Sequence, residues 1–77
     1  MSPAVGEPFE DFNVTLRELR DARGLTQEQV AEAAGTSQSH YSKIELGRVS
    51  PTIRTVKKLA NVLGVDPMDL LRGEANP

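Results

Sequence analysis

The stretch from Thr26 to Gly47, TQEQVAEAAGTSQSHYSKIELG, decides the architecture. Thr26 is followed three residues later by Gln29. At that spacing a threonine hydroxyl accepts from the third helical amide while the glutamine side chain reaches back to the cap amide. Val30, Ala31 and Ala34 then make a narrow apolar stripe on one side of a helix. Gly35 supplies the left-handed residue that ends such a helix at little steric cost, and Ser37 caps a second helix two residues later. The spacing predicts two short helices joined by a tight turn.

At about 100° per residue, Gln38, Ser39, Ser42 and Lys43 share one arc of the second helix, with Ser37, Tyr41 and Ile44 on the opposite arc. Tyr41 and Ile44 are expected to anchor the helix to its neighbours. The outward arc carries groups that suit base edges: a glutamine amide for adenine N6 and N7, a lysine ammonium for guanine O6 and N7. This is the pattern of a helix-turn-helix, whose second helix enters a DNA major groove. An ordinary solvated helix face is the competing reading of the same residues.

The rest of the chain bounds that reading. Its 77 residues amount to one small domain with a modest core, and with no Trp and only three aromatic residues that core must be aliphatic. The absence of Cys excludes a disulfide framework and a thiolate metal site. No apolar run is long enough to span a membrane, and the N-terminus lacks the regions of a signal peptide, so a cytoplasmic protein is expected.

The formal net charge of −2 looks unfavourable for a nucleic-acid ligand, but its distribution is uneven. Residues 1–35 carry three cations, Arg17, Arg20 and Arg23, against seven carboxylates. Residues 36–58 carry Lys43, Arg48, Arg54, Lys57 and Lys58 against Glu45 alone, and residues 59–77 carry Arg72 against three carboxylates. The positive segment coincides with the proposed reading helix, and attraction to phosphate follows the local field rather than the total charge.

Along the chain the residues predict five helices and no strand. Residues 1–10, with Pro3, Gly6 and Pro8, are expected to be a flexible tail, residues 11–73 the folded domain, and residues 74–77 a second flexible tail. A first helix runs from about Phe12 to Arg23 under an Asp11 cap, with Phe12, Leu16 and Leu19 inward. Gly24 stops it and Leu25 plugs the corner. After Gly47 and a loop, Pro51 and Thr52 start a fourth helix with the stripe Ile53, Val56, Leu59, Ala60 and Leu63, closed by Gly64. Asp66 and Pro67 open a short fifth helix, with Leu70 and Leu71 behind them.

The text LRELRDARGLTQEQVAEAAGTSQSHYSKIELGRVSPTIRTVKKLANVLGVDPMDLL, Leu16 to Leu71, covers about three-quarters of the chain. It resembles the lambda-type Cro and repressor (Xre-like) family of helix-turn-helix DNA-binding regulators. The matching features are LRELR followed by GLTQ, the core AxxAGxSQSxxSKIExG, a Pro four residues after that glycine, and LGV near the end. Their order and spacing together carry the resemblance. It implies an all-α, compact five-helix bundle of the lambda repressor-like type. It also implies a salt bridge between Arg20 and Glu45, two charges that helical phase turns toward the packed side, where one without the other would be costly.

The reading that follows is a sequence-specific transcriptional regulator, repressor or controller, acting on double-stranded DNA as a homodimer over a two-fold-related operator. Gln38, Ser39 and Lys43, with Ser42 at the edge, would read bases. Gln27, at the first turn of the second helix, and Arg48, Ser50, Thr52 and Arg54 around the fourth would hold phosphates. Lys57 and Lys58 are read as solubilising charges. Val65, Pro67, Met68 and Leu71 would form the dimer contact through the fifth helix, which often makes a two-fold contact in this family. The alternative is a protein-interaction module, of adaptor or antitoxin type, that keeps the fold without DNA binding. No enzyme activity, metal, cofactor, small-molecule substrate or membrane partner is indicated, since nothing supplies a nucleophile–base pair or a ligand set.

Three positions depart from the family pattern. The usual order puts an aromatic residue at 40 and a β-branched aliphatic at 41, but here His40 precedes Tyr41. The Tyr41 ring then needs small neighbours, for which Ala22, Ala31 and Ala34 are the candidates, and His40 falls at the edge of the DNA face. Leu46 occupies a slot that is usually polar or basic. It is expected to pack on Val49, or to leave some apolar surface for a protein contact.

Overall fold

A computed structural model describes residues 10–75 of the chain. Five helices follow one another: α1 (Glu10–Ala22), α2 (Gln27–Ala33), α3 (Gln38–Glu45), α4 (Ile53–Leu63) and α5 (Pro67–Arg72). There is no strand among the described residues. The caps form where the side chains supply them. The Thr26 hydroxyl accepts from the Gln29 amide while the Gln29 side chain accepts from the Thr26 amide, which completes the capping box. Ser37, Thr52 and Asp66 cap the three later helices, and Pro67 sits in the first turn of α5, where its missing N–H costs nothing.

One core ties the helices together; it is mostly aliphatic, but the rings of Tyr41 and Phe12 are its largest buried side chains. Phe12, Leu16 and Leu19 of α1 meet Val30 and Ala31 of α2, Tyr41 and Ile44 of α3, Val56, Leu59, Ala60 and Leu63 of α4, and Leu70 of α5. In the packing, α2 lies on α3, α5 lies on α4 and α1, and α1 also touches α3. Behind the helix-turn-helix pair, α1 thus braces α3 and α4 braces α2, and α3 keeps one side free.

Several details differ from the sequence-based expectations. Helix α1 already includes Glu10, so Asp11 lies inside the helix and does not cap it. Pro51 precedes the Thr52 cap rather than opening α4. Ile53 continues the phase of the α4 stripe yet is 58% exposed, because phase alone buries nothing without a facing neighbour. Ala22 is exposed, so only Ala31 and Ala34 of the three small residues are buried in the core with the Tyr41 ring. Leu70 is buried and Leu71 half-buried. The expected N-terminal tail lies outside the described residues apart from Glu10. At the other end, Glu74 and Ala75 both donate their amides to the Asp69 carbonyl, and Ala75 packs against the core.

Gly47 follows α3 with φ of 74°, and a Cβ built there would lie 2.5 Å from Asn13 Nδ2. Gly35 has the same φ but open space around it. Left-handed backbone costs a non-glycine residue about 1–2 kcal/mol, so Gly35→Ala should lose about that much in urea unfolding and Gly47→Ala more. The excess should disappear when Gly47→Ala is combined with Asn13→Ala. Equal losses for the two single variants would show that the Asn13 contact is immaterial.

Candidate nucleic-acid interface

The orientation of α3 follows from its sequence. Its first turn is closed by the Ser37 hydroxyl, which accepts from the His40 amide at 3.0 Å, and its inner side is held by Tyr41 and Ile44, both fully buried. Four groups are left on the other side. Gln38, Ser39 and Lys43 are exposed and Ser42 half-buried. With Leu46 and Arg48 they line one open concavity of about 480 Å³. Gln38, Ser39, Ser42 and Lys43, singled out by helical phase, are therefore neighbours on one surface, and the Arg48 cation joins them. His40 is exposed. Leu46 is 63% exposed and is not among the hydrophobics packed on the core, whereas Val49 is. Of the two outcomes expected for Leu46, its exposure matches the one that leaves apolar surface open.

Behind the concavity lies a polar cluster centred on Glu45, whose side chain is 4% exposed. Arg20 Nε donates to Glu45 Oε2 at 2.6 Å and an Arg20 Nη donates to Oε1 at 3.2 Å, a bidentate pair. The Tyr41 hydroxyl donates to Oε2 at 2.6 Å and Gln27 Nε2 donates to Oε1 at 3.0 Å. The other Arg20 Nη donates to the Leu25 carbonyl at 2.9 Å. Burial disfavours the Glu45 carboxylate, but the hydrogen bonds from Arg20, Tyr41 and Gln27 outweigh it and hold the group below the usual carboxylate range. The hydrogen bond to Glu45 outweighs burial and raises Arg20 above its ordinary value. Burial, followed by the hydrogen bond to the Glu45 anion, pushes the Tyr41 phenol well above its ordinary value.

Arg20 and Glu45 were legible as a pair; Tyr41 and Gln27 were not assigned to it. Tyr41 stands four residues before Glu45, so helical spacing could have linked them. Gln27 is distant in sequence and only the fold brings it in. Its side chain, expected on a phosphate, is half-buried with one amide hydrogen committed to Glu45. Arg48, Ser50, Thr52 and Arg54 are all exposed. The Thr52 hydroxyl is already engaged, accepting from the Thr55 amide and lying 3.1 Å from the Thr55 hydroxyl. Val65, just before α5, and Leu71 on it are half-buried against the core, Pro67 is half-buried, and Met68 is 50% exposed. No group of three or more potential metal ligands occurs among the described residues, and none of the helices there is long and apolar enough to cross a membrane.

A family model for helix-turn-helix proteins matches residues 16–70. The chain belongs to the lambda-type Cro and repressor family of helix-turn-helix regulators. Among curated proteins it is 36% identical over 62 residues to an SPbeta prophage-derived HTH-type transcriptional regulator, YonR, of Bacillus subtilis, covering 80% of this chain and 57% of that one. It is 40% identical over 60 residues to the cryptic phage CTXphi transcriptional repressor RstR of Vibrio cholerae, covering 78% and 54%. The chain thus spans about half the length of these relatives. Among solved structures it is similar to the restriction-modification controller protein C.AhdI of Aeromonas hydrophila, with a TM-score of 0.75 and 37% identity over 78% of this chain and 91% of that one.

The Glu45 cluster makes a stability prediction. Removing the charge with Glu45→Gln leaves Arg20 poorly paired and should cost about 3–5 kcal/mol in urea unfolding at neutral pH. Because the folded Glu45 titrates below its ordinary value of 4.5, its contribution is complete at neutral pH and fades as acidification passes that value. The raised phenol acts at the other end: stability falls as pH rises above the ordinary tyrosine value of 10. Unfolding curves across pH should therefore lose their acid slope in Glu45→Gln and their alkaline slope in Tyr41→Phe. A Glu45→Gln protein as stable as the parent would mean that the cluster contributes nothing.

Proposed function

We propose that this chain is a transcriptional regulator that binds double-stranded DNA in a sequence-specific manner, with α3 in the major groove. The observation that carries this reading is the concavity in which Gln38, Ser39, Ser42, Lys43 and Arg48 converge, on the side of α3 opposite the buried Tyr41 and Ile44. A helix seated in the groove needs side chains able to donate and accept at base edges, beside cations for the flanking phosphates. This one has both on one surface. Gln38, Ser39 and Lys43 read bases, with Ser42 at the edge of the set, while Arg48, Ser50, Thr52 and Arg54 set the register on the backbone. Gln27 contributes to a phosphate only through its backbone amide and the amide hydrogen not held by Glu45. The relatives' designations as transcriptional regulators and repressors support the same reading. The protein acts in the cytoplasm.

The active species is a homodimer. A single α3 spans only a few base pairs, too few for a useful specificity ratio against genomic DNA, and two copies about one duplex turn apart resolve this. No α5 residue lines the concavity, and the half-exposed Met68, with Val65, Pro67 and Leu71, supplies an adaptable apolar surface for the two-fold contact.

Titration of the chain against a random-sequence duplex at several salt concentrations tests the function directly. Affinity should fall steeply with salt, since each phosphate neutralised releases about one counterion. An absence of binding at low salt would overturn the reading in favour of a protein-interaction module. On the best site selected from a random pool, Gln38→Ala and Lys43→Ala should each cost about 1–3 kcal/mol and relax preference at one or two base pairs. Arg48→Ala should weaken all sequences about equally. The same profile for Gln38→Ala and Arg48→Ala would refute the division between reading and positioning. Met68→Glu should give folded monomers in sedimentation with much weaker operator binding, and a monomeric parent at high micromolar concentration bound one per operator would refute the dimer.

A further inference from the structure

Leu46 is the residue of this surface that the proposed function does not use. It closes α3 as the C-cap in right-handed helical backbone, so the helical phase of α3 extends to it. Steps of four residues advance about 40° around a helix, and Gln38, Ser42 and Leu46 therefore lie along one slowly turning line. By the same measure Ser39 and Lys43 follow on its other side, so Leu46 falls within the angular span of the reading arc, two turns beyond Gln38. The structure agrees with the phase: Leu46 lines the same concavity as Gln38, Ser39, Ser42, Lys43 and Arg48. Its side chain is largely exposed and does not pack on the core, although Val49 three residues later does.

An aliphatic side chain amid donors, acceptors and cations has one apolar counterpart on the edges of the bases in a major groove, the C5-methyl group of thymine. We infer that Leu46 is a specificity-determining residue that selects thymine at one position of each half-site by packing against that methyl. The inference rests on the DNA-binding reading and deepens it. The cationic wall formed by Lys43 and Arg48 favours duplex DNA as the occupant of the concavity over an apolar protein segment, which would leave both charges without partners. Burial of the leucine against the methyl gains hydrophobic free energy that a cytosine edge, which presents only a C5 hydrogen where thymine carries the methyl, cannot supply.

The test uses the intact chain and the duplex selected by it from a random-sequence pool. Thymines in the site are replaced one at a time by deoxyuridine, which removes the methyl and leaves every base-pair hydrogen bond in place. One thymine per half-site should show a loss of about fourfold, the factor that burial of a single methyl is worth at room temperature. In Leu46→Asn that loss should vanish, and selection with this variant should no longer favour thymine there, while Gln38-dependent preferences persist. Leu46 contributes nothing to the core, so circular dichroism of the variant should match the parent. Tight sequence-specific binding that is indifferent to every deoxyuridine replacement would overturn the role of Leu46 and leave the DNA-binding reading standing. A deoxyuridine penalty that survives in Leu46→Asn would do the same. An absence of duplex binding by the parent at low salt would remove both.

Discussion

The Glu45 carboxylate is the point on which the arrangement of the first three helices depends. A carboxylate this buried is tolerable only when its lone pairs are filled, and here three side chains from three helices fill them: Arg20 from α1, Gln27 from α2 and Tyr41 from α3 itself. Each donor constrains a different degree of freedom. The bidentate guanidinium fixes the end of α3 against α1, the amide fixes α2 against α3, and the phenol fixes the rotamer of Glu45 from one turn earlier. Arg20 also holds the Leu25 carbonyl, which ties the corner between α1 and α2 into the same cluster. A hydrophobic contact could contribute comparable stability, but it would not specify the relative rotation of three short helices.

That constraint bears directly on the candidate interface. Helix α3 has eight residues, too few to be stable alone, so its conformation and orientation are imposed by what it packs on. With Tyr41 and Ile44 sunk in the core and Glu45 held by its donors, the outward residues Gln38, Ser39 and Lys43 have a determined direction. A surface that reads base edges requires this, because an error of an ångström in a donor's position removes a hydrogen bond. The rigid polar cluster and the open polar concavity are the two sides of one helix, and the first gives the second its geometry. The acidic character of the chain as a whole does not oppose this. The carboxylates belong mostly to α1, α2 and the C-terminal segment, while five of the nine cations, Lys43, Arg48, Arg54, Lys57 and Lys58, lie on α3, the following loop and α4.

The family relationship agrees with the physical reading but does not replace it. Membership is carried by the match over residues 16–70 and by identity to transcriptional regulators and a solved controller protein. The individual character of this chain lies where it departs from the family pattern. Tyr41 fills the buried slot and converts it into a hydrogen-bond donor to Glu45, and Leu46 brings an aliphatic group to a surface otherwise made of polar and charged ones.

The sequence by itself determined what is local. Caps at Thr26, Ser37 and Asp66, the terminating Gly64 and the stripe Val56, Leu59, Ala60 and Leu63 all depend on residues within one or two turns of each other, and so could be read from spacing. The outward arc of α3 was legible for the same reason. Tertiary structure decided what depends on distant partners. Ile53 has the phase of a core residue but no neighbour to cover it, and Leu46 has the composition of one but stays in the concavity. Gln27 reads locally as a free helix start, and only the approach of α3 turns its amide onto Glu45. The amides of Glu74 and Ala75 likewise find the Asp69 carbonyl only once α5 has formed. Helical periodicity specifies a direction around one axis, whereas burial and hydrogen bonding across helices require a second axis at a given distance, and one window of sequence contains no information on it.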